Sequence, residues 1–145
     1  MADWLDDEVP IDWLADLLEL IHQTPNLDWL LLTKRPQNFW PRIQAAFRYL
    51  AETKDIDRVP ALNMVAAWMG TEHCEEPGEP PEAPHNVWIG TTLEVENDER
   101  LTDFLEIPAV IHFLSCEPLL EHVELEVSLG RARRAGLERL GVPSH

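Results

Sequence analysis

The chain has 145 residues, 45% hydrophobic and 26% charged, and its 11 Lys and Arg face 27 Asp and Glu for a net charge of −16. One domain fits that length, and the apolar content excludes disorder driven by composition. So acidic a surface excludes general capture of nucleic acid or an anionic membrane. No apolar run approaches the roughly 20 residues of a bilayer span, and the acidic start from Met1 to Glu8 lacks the basic region of a signal peptide. Two cysteines, Cys74 and Cys116, are too few for a disulfide scaffold or a structural zinc site. The expectation is an acidic, cytoplasmic α/β protein.

In chain order, Pro10 can open a helix, because its missing N–H has no partner at that position in any case. Ile11, Leu14, Leu17, Leu18 and Ile21 then recur at three- and four-residue spacing, and Thr24-Pro25-Asn26 ends the pattern. Leu27 to Thr33 is a short, nearly continuous apolar run that predicts a buried parallel strand. Lys34-Arg35-Pro36 breaks it. A second helix is predicted over Gln37 to Ala51, with Phe39, Ile43, Ala46, Phe47 and Leu50 inward and Pro41 in the tolerant first turn. Asp57-Arg58-Val59-Pro60 reads as a turn and Ala61 to Met69 as a short helix. Residues 70–85 are rich in Pro and Glu and predict an exposed loop.

Val87 to Thr91 is the second predicted strand, Glu96 to Leu105 a charged helix packing through Leu101, Phe104 and Leu105, and Ala109 to Ser115 the third strand. His112 falls in mid-strand as a core or sheet-edge residue, and His22 near a helix C-terminus. Val123 and Leu125 alternate with acidic residues as in a short edge strand. The fold class is therefore α/β: a partial, (β/α) barrel-like parallel sheet of about three strands with flanking helices. Residues 1–126 form this incomplete α/β domain, with seven Lys and Arg against 26 Asp and Glu. Residues 127–145 carry four Arg and one Glu and read as a basic C-terminal tail.

In parallel β/α folds ligands meet the loops at the carboxyl ends of the strands. Here those loops offer Lys34 and Arg35 after Thr33, then Thr91, Thr92 and Glu94 after Gly90, then Ser115 and Glu117 around Cys116. Two cations, several hydroxyls and two carboxylates suit a phosphate, carboxylate or amino-acid moiety. The same Thr, Ser and Glu types equally cap the following helices, and Lys34 and Arg35 can equally be solvated. Metal chemistry has little basis: His73 and Cys74 are adjacent, and with Glu75, Glu76 and His85 they make a mixed donor set that suits no metal well. Ser115 and Cys116 lack a Gly-flanked elbow, and no Gly-rich phosphate loop occurs.

Four segments occur in a telling order: Trp13-Leu14-Ala15-Asp16-Leu17, Thr24 through Leu32-Thr33-Lys34-Arg35-Pro36, Asn86-Val87-Trp88-Ile89-Gly90-Thr91-Thr92, and Phe113-Leu114-Ser115-Cys116-Glu117-Pro118-Leu119-Leu120. Together they resemble the middle of a phage-associated family of unknown function described as radical-SAM-like, over roughly residues 3–126. Its members carry a three-cysteine motif near the N terminus, and some are encoded beside a partner named for that motif. The resemblance implies an α/β barrel, with an iron–sulfur cluster and S-adenosylmethionine in full-length members. The cysteine motif lies upstream of the segments matched here, and neither Cys74 nor Cys116 replaces it. A Gly-rich segment that follows the third block in the family is absent from residues 127–145.

The first expectation from this resemblance is a truncated, catalytically incompetent remnant with no cofactor of its own. Its open sheet edge favours self-association. The net charge of −16 motivates a second expectation of a different class: an acidic mobile-element protein that binds a basic protein partner by mimicking nucleic acid, without binding nucleic acid itself. A third is a residual nucleoside- or amino-acid-binding edge formed by Thr91, Thr92, Glu94, Ser115 and Glu117.

Overall fold

The computed structural model describes residues 3–70, 80–93 and 99–115. Helix α1 spans Ile11–Gln23, strand β1 Trp29–Thr33, α2 Phe39–Thr53, α3 Val59–Met69, β2 Val87–Thr92, α4 Arg100–Glu106 and β3 Ile111–Ser115, with short 3-10 turns leading into α2 and α3. The expected edge strand at Val123 and Leu125 and the basic tail 127–145 lie outside the described residues.

The three strands are all parallel and lie in the sheet in the order β1-β2-β3. Sequential order in a parallel sheet is what β/α units give when each strand is laid beside the last. The sheet is open among the described residues, so the expected α/β class holds. Alternation along the strands gives the sheet two unlike faces. Leu31, Thr33, Val87, Ile89 and Thr91 form a buried face, extended on β3 by the half-buried His112 and Leu114. That face shares one core with Leu14 and Leu18 of α1, Phe39 and Ile43 of α2, Val65 and Trp68 of α3, and Phe104 of α4.

The opposite face carries Leu30, Leu32, Trp88, Gly90, Thr92, Ile111, Phe113 and Ser115, and there Leu30 is 58% and Leu32 43% exposed. The expectation of a strand buried throughout from Leu27 is therefore corrected. β1 begins at Trp29, where Trp29 N donates to Asn86 O at 2.7 Å and pairing with β2 starts. Only its helix-facing residues are buried.

Each helix has a local cause. Pro10 stands at the N-cap of α1, and Thr24 closes it, its hydroxyl donating to Leu20 O at 2.8 Å. Pro60 belongs inside the first turn of α3, where a missing N–H costs nothing, so the turn expected at Val59-Pro60 is instead the helix start. Gly70 ends α3 with φ 74°, a left-handed conformation that glycine adopts without strain. α4 is described only from Arg100; the start expected at Glu96 lies outside the described residues.

The core extends into the acidic N-terminal segment. Trp4 stacks on Trp68 with ring centroids 6.4 Å apart and meets Phe39 edge-on, and Leu5 is fully buried. Polar ties hold the packing in place. Asn86 Nδ2 donates to Ile21 O and Thr24 O, both at 3.1 Å, fastening the end of α1 to the start of β2. Trp68 Nε1 donates to Pro108 O at 2.7 Å. Arg58 meets Asp16 at 2.8 Å and Glu19 at 3.3 Å. Burial works against the Arg58 charge, but the Asp16 hydrogen bond and the two carboxylates outweigh it, and its pKa stands above the ordinary arginine value.

On the open face, Gly90 pairs in register with Phe113, and the Phe113 ring lies across it: a Cβ at Gly90 would sit 2.3 Å from Phe113 Cζ. Aromatic cover over a strand glycine replaces the packing that a side chain would supply. Gly90→Ala forces that ring aside and should cost about 1–3 kcal/mol in urea unfolding. The penalty should shrink in a Phe113→Ala background; an equal penalty in both backgrounds would show that the ring is not what excludes the methyl group.

Candidate functional site

Strand register decides what meets at the carboxyl edge of the sheet. Thr33 pairs with Thr91, Thr91 with Leu114, and Thr92 with Ser115. Pairing continues one residue further, where Leu93 N donates to Ser115 O at 2.8 Å. Paired residues point to the same face and their neighbours to the other. Thr33 and Thr91 therefore face the helices, whereas Thr92 and Ser115 stand side by side on the open face. The strand-end residues read from the sequence divide into two groups on opposite faces.

On the helix side, the fully buried Thr91 hydroxyl donates to Thr33 O at 2.7 Å. It is spent holding β2 to the end of β1. Thr33 Oγ1 donates to Asp3 Oδ2 at 3.0 Å and accepts from Arg35 N at 2.9 Å. Lys34 N donates to the same Asp3 Oδ2 at 2.7 Å. Arg35 Nη1 lies 3.8 Å from Asp3 Oδ2 and 3.3 Å from Asp6 Oδ2. Asp3 Oδ1 accepts from Leu5 N at 3.0 Å, and Asn38 Nδ2 donates to Leu5 O at 3.0 Å. Arg35, read from the sequence as a cation for an incoming anion, thus already faces two carboxylates of its own chain.

On the open face, Thr92 is 6% exposed and Ser115 half-buried, beside Gly90 and the Phe113 ring. Glu94 and Glu117, the carboxylates read with them, lie outside the described residues, as do His73, Cys74 and Cys116. Sequence reading missed Asp3 and Asp6. The available signal was the run Asp3-Trp4-Leu5-Asp6, in which two large apolar residues interrupt an acidic segment.

A cavity of about 690 Å³ opens at the other end of the sheet, lined by His22, Asn63, Met64, Pro84, His85 and Asn86 among others. Two of its polar residues serve the fold: Asn86 ties α1 to β2, and His85 Nε2 lies 3.1 Å from Pro25 O. His112 is likewise structural, its Nε2 2.8 Å from Ile107 O and its ring edge-on to Phe104. Among the described residues no group of three His, Cys, Asp or Glu side chains gathers as metal ligands.

The described residues define an α/β protein with a three-stranded parallel sheet. A family model described as "Protein of unknown function (DUF5131)" matches residues 1–136, and the chain belongs to that family. The match runs past residue 126 into the basic segment. No curated protein and no solved structure matches the chain. No helix among the described residues is long and apolar enough to cross a membrane.

Thr91→Val keeps the volume but removes the donor to Thr33 O at a site with no access to water. It should cost about 1–3 kcal/mol in urea unfolding, with Thr91→Ser nearer to wild type. A neutral Thr91→Val would show that this hydroxyl does not hold the edge together.

Proposed function

We propose that the chain binds a nucleoside- or amino-acid-bearing ligand of the S-adenosylmethionine type at the carboxyl ends of β2 and β3. We further propose that it corresponds to the central β/α segment of the phage-associated, radical-SAM-like family its sequence blocks resemble. The observation that carries this reading is the pairing of Thr92 with Ser115 on the open face, one pair along from Gly90 and Phe113. Two adjacent hydroxyls suit ribose or amino-acid groups, and an aromatic and aliphatic face suits a base. In this reading the protein binds and orients its ligand.

A [4Fe–4S] cluster does not fit the donors present. Its site-differentiated form in such families takes three thiolates, the chain has two cysteines, and no alternative ligand group gathers among the described residues. No chemical step is therefore assigned through a cluster in this chain.

Thermal unfolding with S-adenosylmethionine and S-adenosylhomocysteine tests the proposal. A ligand selective for the native state stabilises it by about 2.7 kcal/mol at a concentration 100 times its Kd. The expected result is a rise in Tm for the wild-type chain that disappears in a Thr92→Val, Ser115→Ala double variant of unchanged fold. No rise at saturating ligand, or an equal rise in the variant, would overturn the assignment.

A further inference from the structure

The Asp3 carboxylate is held by the end of β1. One of its oxygens, Oδ2, receives the Thr33 hydroxyl at 3.0 Å and the Lys34 backbone N–H at 2.7 Å, with the Arg35 guanidinium at 3.8 Å. The two donors and the cation come from consecutive residues at the carboxyl end of β1. A hydroxyl, an amide and a guanidinium turned on one anionic oxygen are the elements of an oxyanion receptor. The turn builds most of this geometry itself. Arg35 N donates back to Thr33 Oγ1 at 2.9 Å, which fixes the hydroxyl as a donor toward the carboxylate, and Thr33 is 1% exposed on a paired strand.

We propose that the Thr33–Lys34–Arg35 turn is a binding site for the oxyanion of a carboxylate or phosphate group, occupied in this conformation by the chain's own Asp3. The occupant is supplied by an independent anchor. Trp4 and Leu5 are buried in the core, and they hold the neighbouring Asp3 at the turn at high effective concentration. An external anion therefore meets a filled site in the wild-type chain and an open one when the Asp3 carboxylate is removed. Asp6, 3.3 Å from Arg35, remains in that case and offsets part of the guanidinium charge. Neutralising it should strengthen external anion binding. The site concerns the β1 turn and Asp3, and it holds whether or not a nucleoside binds at Thr92 and Ser115.

Chemical rescue of Asp3→Ala tests this, with sodium acetate as the carboxylate probe and inorganic phosphate as the phosphate probe. Sodium chloride at matched ionic strength is the control. Phosphate stabilises folded proteins generally by exclusion from their surfaces, so the quantity read is the shift in Tm of the variant beyond that of wild type in the same salt. The expected result is an excess upward shift in Asp3→Ala that is larger in Asp3→Ala with Asp6→Asn. It should vanish when Arg35→Gln and Thr33→Val are added. A response to acetate alone assigns a carboxylate ligand, and a response to phosphate alone a phosphate ligand. If Asp3→Ala is unfolded in chloride, recovery of helical circular dichroism on adding either anion is the supporting result. Asp3→Asn, which keeps the Leu5 N–H acceptor, provides a second variant and should show a smaller excess shift. Equal shifts in wild type and both Asp3 variants, no recovery of an unfolded variant, or a shift that survives loss of Arg35 and Thr33 would each overturn the proposal.

Discussion

Parallel pairing on both sides of β2 is the constraint on which the rest of the structure depends. Fixing Thr33 against Thr91 and Thr92 against Ser115 sets which side chains face the helices and which face away. A shift of one residue would turn Val87, Ile89 and Thr91 out of the core and expose their apolar surface to water. Polar ties secure that register at both ends of the strand. Asn86 pins its start to the end of α1, and the Thr91 hydroxyl pins its end to β1. Between them Gly90 lets the Phe113 ring close over the strand, giving the open face cover where a larger residue would block it.

Charge has been put to use inside this frame. The net −16 reads from the sequence as a general property of the surface, but the described ion pairs place particular carboxylates against particular cations. Asp16 and Glu19 of α1 meet Arg58 at the entry to α3, and Asp3 and Asp6 meet Arg35 at the end of β1. Exposed ion pairs contribute only about 0–1 kcal/mol each. Their importance here is positional. The N-terminal segment is seated by Trp4 and Leu5, and its carboxylates then close the β1 turn.

Periodicity made the helices and the order of strands legible: Leu14, Leu18 and Ile21, and Phe39, Ile43, Ala46 and Leu50, are buried as their spacing implies. The strand ends were legible as a place, because a parallel sheet brings its carboxyl ends together. Their division into two faces was not, since it depends on the pairing register of three segments separated along the chain, with Thr33 against Thr91 and Thr92 against Ser115. The exposure of Leu30 and Leu32 was hidden for a related reason: an apolar run does not reveal that the described helices share a core with only one side of the sheet. The role of Asp3 was invisible because its partners, Thr33 and Lys34, are thirty residues away, and an acidic residue in an acidic segment carries no local signal. Pro60 reads as a turn former until α3 is seen to begin before it.

Amide hydrogen exchange by NMR, followed against low concentrations of urea, tests the central role of β2 most directly. The hydrogen-bonded amides of a strand paired on both sides should exchange only through global opening. The expected result is that the slowest amides of Trp88 to Thr92 share one free energy and one urea dependence with the core amides of α1 and α2. Exchange of β2 amides through urea-independent local opening, while those helices stay protected, would contradict the claim that this strand organises the core.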